Sequence, residues 1–251
     1  MQFNATGPAL REVHSTVFRT IPAITDAGYT GYGLVAGSFS GIFILPNGLN
    51  STFNTTFAPI AALANKPGVQ GQIASFDLPS WKAYRDMFAT DPNIATNIIG
   101  ASRLLTDKVL KDDGAVAALA DMAARDEGAF NFIGKIAPTA DRAATSVHDI
   151  WSESAAIISF GVDWEDDARE SVKRERKKHL VALSEELGRI MRGAGQEQGT
   201  YLNEANPYER EWKEVFWGKK YERLERVKRR VDPRGLFECN RCVGGSVVWK
   251  P

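Results

Sequence analysis

The residues of this 251-residue chain best placed for chemistry sit in one polar loop, Gly199-Thr200-Tyr201-Leu202-Asn203-Glu204-Ala205-Asn206-Pro207. It leads into two aromatic-rich amphipathic stretches. A loop of this kind can present Tyr201, Asn203 and Glu204 to a ligand. The same residues can instead serve structure, with Tyr201 capping a core and Asn203 and Asn206 making turn hydrogen bonds. Cys239-Asn240-Arg241-Cys242 is a lone C-x-x-C in a C-terminal tail. Zinc would need two further thiolate or imidazole ligands, and a thioredoxin-type pair would sit at a helix N-terminus after a strand. That leaves structural thiols or a local disulfide, and no metal set is expected. The histidines are His14, His148 and His179. His14 and His179 fall on charge-rich helical patterns and are expected on solvated faces. His148, just before Trp151, is expected to pack structurally, with a cleft position as the alternative. Nucleotide-binding glycine loops, a P-loop, H-E-x-x-H and a nucleophile elbow are all missing from the sequence.

Composition narrows the partners. Lys plus Arg and Asp plus Glu both number 31, so the formal net charge is zero. That gives no general pull toward nucleic acid or an anionic membrane. The basic run Lys173–Lys178 interleaves with Glu165, Asp166, Asp167, Glu170 and Glu175, with Glu185 and Glu186 following, and reads as a solvated face; Glu165, Asp166 and Asp167 are expected to form the acidic first turn of that helix. No apolar run reaches the ~20 residues of a membrane span, and no secretory signal is visible at Met1. Three N-glycosylation sequons begin at Asn4, Asn50 and Asn54. They point to a secretory or extracellular location if a parent protein carries a signal upstream, and to the cytoplasm otherwise.

The elements that must position the loop follow from periodicity. Helices are expected over Leu10–Ala27 (with Pro22 kinking or shortening it), Ser51–Asn65, Ser80–Phe88, Asp112–Arg125, Trp164–Arg192, Pro207–Trp217 and Tyr221–Val231. Two strands and a turn fit Tyr29–Leu45. Further strands fit Val69–Leu78, Asn97–Leu105, Ala129–Ala137 and Val147–Val162. Helices and strands mix without a regular βαβ repeat. The fold class is therefore α+β, a largely antiparallel sheet with helices on one face.

The order of residues near the C-terminus carries a resemblance. Tyr201-x-Asn203, Trp212, Phe216-Trp217-Gly218, Tyr221-x-x-Leu224, Lys228 and Asp232-Pro233-x-x-x-Phe237 resemble the berberine-bridge segment of flavin-linked oxidases. Asn203-Glu204-Ala205 and the Cys-x-x-Cys before Trp249 look most like fungal members. Leu10–Gly31, Pro46-Asn47 and Gly100-Ala101-Ser102-Arg103-Leu104 are similar to the substrate domain of the same family.

The resemblance implies a substrate-type domain at 1–195, a C-terminal helical berberine-bridge segment at 196–251, and no N-terminal FAD-binding domain in this chain. It implies FAD as cofactor. It also implies a two-electron oxidation of a small specialised metabolite of fungal secondary metabolism, hydride passing to flavin N5. Tyr201 and Asn203 match the element beside the flavin ring. Glu204 stands where many relatives carry a tyrosine and is the candidate base, with Tyr201 beside it. Of the proline, tryptophan and arginine that relatives carry near His148, only Trp151 is kept. The alternative is a truncated, non-catalytic relative acting as a binding or interaction module. Without a flavin domain, Trp212, Phe216, Trp217, Tyr221 and Phe237 are expected to form an exposed patch that drives self-association.

Overall fold

A computed structural model describes residues 1–46, 52–88, 96–135 and 144–251. Its backbone is a seven-stranded sheet in the order β4-β1-β3-β2-β6-β7-β5, and every pairing is antiparallel. The strands are β1 (Gln2–Ala5), β2 (Thr30–Val35), β3 (Ser38–Ile44), β4 (Val69–Gln72), β5 (Asn97–Thr106), β6 (Gly128–Ile133) and β7 (Ser154–Trp164). Three helices supply most of the cover on one face: α1 (Gly7–Asp26), α6 (Asp113–Arg125) and α7 (Glu170–Gly193). Short turns α2 (Phe53–Thr56) and α3 (Ala58–Ala61), α4 (Trp81–Phe88) and α5 (Asp107–Leu110) fill the connections. The C-terminal pair α8 (Trp212–Trp217) and α9 (Tyr221–Val231) ends the helical part.

The amphipathic pattern of α1 explains its burial. Val13, Val17, Phe18, Ile21 and Ile24 recur at helical spacing and are all fully buried. Phe18 meets Phe130 of β6 edge-on, with ring centroids 5.3 Å apart. Fully burying one such side chain contributes roughly 1.5–3 kcal/mol. Pro22 is buried inside α1, and the helix continues past it to Asp26. His14 lies on the buried stripe and is completely inaccessible, its Nε2 3.3 Å from the Ser38 carbonyl oxygen. The expectation of a solvated His14 is overturned, because position 14 falls between Leu10 and Phe18 on the packed face. His179 is exposed, as expected, and pairs with Asp126 at 3.2 Å.

Other boundaries moved. β7 runs on to Trp164 and α7 begins only at Glu170, so Glu165–Asp167 belong to the connection and not to a first helical turn. The 207–211 stretch is turns, and α8 starts at Trp212. β4 stops at Gln72, and β1, with no counterpart among the expected strands, heads the chain. β1 fits because Phe3 and Ala5 alternate inward while Gln2 and Asn4 point away. Gly71 opposite Phe3 permits that packing, since a Cβ there would stand 2.1 Å from the ring.

The face away from the helices is open over β4, β1, β3 and β2, while at β5 it is covered, with Ser102 and Leu104 fully buried. Alternation assigns it Gln2, Asn4, Tyr32, Leu34, Ser102 and Leu104, among others. The pairings form one lateral row across all seven strands. From β4 it runs Gln72, Gln2, Ser40, Leu34. It then continues through Ala129 and Ser159 to Ser102 on β5. No member of the row carries charge. Six steps of ~4.8 Å make it about 29 Å long.

Candidate functional site

The Tyr201 loop is built by what happens after α7. Gly195 takes a left-handed conformation (φ 66°) at the helix end, where a Cβ would be strained, and Gln196 N–H then returns to the Met191 carbonyl at 2.9 Å. From there the chain runs beside β5, the outer strand of the sheet. Leu104 N–H donates to Gly199 O at 2.9 Å. The Gln196 carboxamide does the rest. Its Oε1 accepts from Thr106 N–H and from Thr106 Oγ1 at 2.8 and 2.7 Å, and its Nε2 donates to Leu104 O at 2.8 Å. A side chain thus completes the ladder that an edge strand leaves open. Gly199 fits against Ile150 only because it lacks a Cβ, which would approach Ile150 Cγ2 to 2.4 Å.

One strand register over, Ser102 Oγ and Thr200 Oγ1 share a hydrogen bond of 2.5 Å, and the Glu204 carbonyl oxygen lies 3.5 Å from the same serine. Beneath the strap is a buried charge. Arg103 is 1% exposed and meets Glu209 at 2.8 Å. Ser184 Oγ donates to the same carboxylate oxygen at 2.7 Å, and Arg103 also donates to the carbonyls of Ser102 and Ser184. An ion this deep is tolerable only when fully paired and hydrogen-bonded.

The tip is different. Leu104, Ile150 and Ile157 form a small apolar cluster on the face away from the helices, capped by Trp151 and Tyr201. The two rings meet edge to face at 5.9 Å. Tyr201 is half-buried, while Leu202, Asn203 and Glu204 are exposed. Asn203 Nδ2 donates to Tyr201 Oη at 2.7 Å. The structure therefore brings Tyr201, Asn203 and Glu204 to one rim, with Trp151 beneath. A carboxamide and a phenol at such a rim can both donate and accept. The Glu204 backbone is fixed by its N–H to the Tyr201 carbonyl at 3.0 Å. The residue itself is exposed.

His148 is buried and structural, and does not line a cleft. Its Nδ1 accepts from Ile150 N–H at 3.2 Å, which puts the proton on Nε2, facing the Glu214 carbonyl at 3.2 Å. Burial lowers its pKa below the ordinary 6.5. Gly218, at φ 55°, leaves room for the imidazole; a Cβ would stand 2.6 Å from Nε2. Lys220 donates to Val147 O at 2.7 Å and meets Asp149 at 2.8 Å, fastening the Trp151 turn to the C-terminal helices.

Cys239 and Cys242 form a disulfide. Arg241 between them has φ 56° and reaches back to the carbonyls of Pro207, Glu209 and Trp249. The aromatics expected to form an exposed patch are mostly covered. Phe216 and Tyr221 are buried, Trp212 and Trp217 half-buried, and Phe237 alone of the five is exposed, at 78%. Leu236, Val231 and Trp249 are the other large apolar side chains this end exposes most. Of the sequon residues, Asn4 is exposed on the open face and Asn54 on α2; Asn50 lies outside the described residues. Among the described residues, no helix is long and apolar enough to cross a membrane.

Ser102 and Arg103 enter the sequence reading only within the Gly100–Leu104 resemblance, with no role assigned, and Gln196 and Gln198 not at all. The signal available was a polar Ser-Arg pair inside an otherwise apolar strand, opposite a glutamine pair after a helix end.

Residues 200–244 match the family model described as berberine and berberine-like. An uncharacterised FAD-linked oxidoreductase of Arthroderma benhamiae is 42% identical over 98% of this chain, which spans 44% of that protein. The VAO-type flavoprotein oxidase VAO615 of Thermothelomyces thermophilus is 35% identical over 42% of the chain and 18% of its own length. Among solved structures, the VAO-type flavoprotein MtVAO713 from Myceliophthora thermophila C1 superposes with a TM-score of 0.78 at 18% identity, covering 97% of this chain and 47% of that one. That last likeness shows the fold. The chain spans less than half the length of the first relative and of this structural neighbour.

Proposed function

From this kinship with the berberine-like FAD-linked oxidoreductases, we propose that the chain supplies the substrate-facing sheet (residues 1–195) and the C-terminal segment (196–251) of a flavin-dependent oxidation of a small molecule. The observation that carries this reading is the Tyr201–Asn203 rim. It lies inside the matched segment, is exposed at its tip, and is held from behind by Ser102, Gln196 and Arg103. Its residues fit the ring end of FAD. A phenol and a carboxamide joined at 2.7 Å offer neutral donors and acceptors to the polar edge of a flat heterocycle. No phosphate-cradling glycine loop accompanies them among the described residues, so they fit the ring and not the nucleotide. When bound, the flavin supplies the two-electron acceptor chemistry.

The chain's own residues would do the following. Asn203 and Tyr201 would hold and orient the ring edge. Trp151, with Leu104 and Ile157, would keep water from the apolar floor. Glu204 would take the substrate proton once a covering domain desolvates it, since desolvation raises a carboxylate's pKa toward the range useful to a base. The exposed Leu236, Phe237 and Trp249 would contact that covering domain. In its absence they favour concentration-dependent self-association.

The test is a chimera in which this chain replaces the corresponding part of the Arthroderma relative. The expected product is yellow, and Tyr201→Phe and Asn203→Ala each shift its flavin absorption bands. A folded, colourless chimera, or bands indifferent to both changes, overturns the reading. Within the chimera, Glu204→Gln is expected to lower turnover by about 10²- to 10⁴-fold. Unchanged turnover removes Glu204 as base.

A further inference from the structure

Strands β1 to β4 contain no charged residue, in a chain where charged residues make up 25%. A water-facing sheet surface normally carries some charge. On this part of the open face, Gln2 and Asn4 of β1 stand directly opposite Gln72 and Gln70 of β4. All four carboxamides are exposed, and none hydrogen-bonds to another described residue. With Gly71 they line a surface hollow of about 270 Å³. Farther along the same face, Tyr32 of β2 points outward with its hydroxyl 3.5 Å from that of Tyr84 on α4. Trp81 stacks on Tyr84 at 4.9 Å and is 70% exposed.

We propose that the hollow between β1 and β4 binds a neutral, hydroxyl-rich ligand: a saccharide unit. Four carboxamides bring eight N–H donors and four acceptor oxygens without a net charge. Facing pairs on an antiparallel ladder stand ~5 Å apart, close to the width of a pyranose ring. A sugar hydroxyl both donates and accepts, as a carboxamide does, so each side satisfies the other. Among the described residues, no lysine or arginine lines the hollow to favour an anion, and no carboxylate lines it to favour a cation. The Tyr32, Tyr84 and Trp81 rings offer the flat apolar surface that suits the C–H face of a neighbouring sugar. The hollow lies five to six strand spacings, about 24–29 Å, from Ser102 along the row. Asn4 is also a sequon residue, and a glycan there would fill the hollow.

The experiment uses ¹⁵N-labelled full chain produced without N-glycosylation, titrated with maltotriose. Saturable shifts are expected in the side-chain NH₂ signals of Gln2, Asn4, Gln70 and Gln72, and a roughly tenfold rise in salt should leave the affinity unchanged, since no ion is involved. The double variant Gln2→Ala, Gln72→Ala should weaken binding by about tenfold or more with the unfolding midpoint unmoved. Silent carboxamide signals at saturating sugar overturn the proposal. So do shifts confined to the Tyr201 loop, and so does sugar-independent broadening that grows with protein concentration, which would assign the face to a second copy. Of these outcomes, only shifts confined to the Tyr201 loop bear on the flavin reading, because they would put the sugar at its rim.

Discussion

The two lateral edges of the sheet solve the same problem in opposite ways. At β5, the chain folds back on itself and satisfies the edge with its own polar groups: Gln196 on Thr106 and Leu104, Thr200 on Ser102, Glu209 on Arg103. At β4, the polar groups are neutral, exposed and unengaged by the described residues. The first edge spends its hydrogen-bonding capacity on holding a loop still. The second keeps that capacity for something outside the chain. Rigid support and open valence are the two parts of a binding surface, and here they sit at opposite ends of one row of uncharged residues.

Breaking the β5 edge should cost most. Glu209→Ala strands Arg103 as a buried, unpaired charge, and a loss of about 3–5 kcal/mol is expected, read from urea unfolding. Restoring neutrality with Arg103→Met and Glu209→Leu together should recover most of it. A loss under ~1 kcal/mol for the single change would show that the pair behaves like a surface bridge. Gln196→Ala comes next. It leaves Thr106 N–H and Leu104 O without partners, for an expected cost of about 1–3 kcal/mol, with amide exchange at Thr106 as the local probe.

Acid sharpens the contrast further. Burial lowers the pKa of both His14 and His148 below 6.5. The unfolded chain therefore takes up these protons more readily than the folded one. Stability from this source is full above pH ~6.5 and is lost as the pH falls below that value toward the folded pKa values. Midpoints at successive pH values check it, and His14→Gln should flatten the slope. The smallest effect is expected at the other edge. Gln2→Ala with Gln72→Ala should move stability by less than ~0.5 kcal/mol, a null result that thermal melting can confirm.

The difference between the edges also marks how far the sequence could be read. Helical stripes such as Val13–Ile24 and Tyr221–Val231, and the Tyr29–Leu45 hairpin, are local patterns, and they were legible. His14 was misplaced because its polarity was weighed above its position on the stripe. β1 was missed because four residues give too little alternation to register. The α7 start was misread because an acidic run suits a helix N-terminus and a connection equally well. The site divides the same way. Tyr201 and Asn203 were found through ordered motifs close in sequence. Arg103 and Glu209 are separated by 106 positions, and only the folded sheet brings them together.

The Cys239–Cys242 link encloses just two residues, so it removes little freedom from the unfolded chain and adds little to global stability. Its work is local. It keeps Arg241 in a left-handed turn from which one guanidinium grips two stretches of backbone, at Pro207 and Glu209 and at Trp249. A thiol reductant should therefore release the last dozen residues, Trp249 included, while the sheet and its helices melt where they did before. The fastening of this tail is a property of the surroundings as much as of the fold: an oxidising compartment delivers the chain clasped, a reducing one delivers it with its end undone.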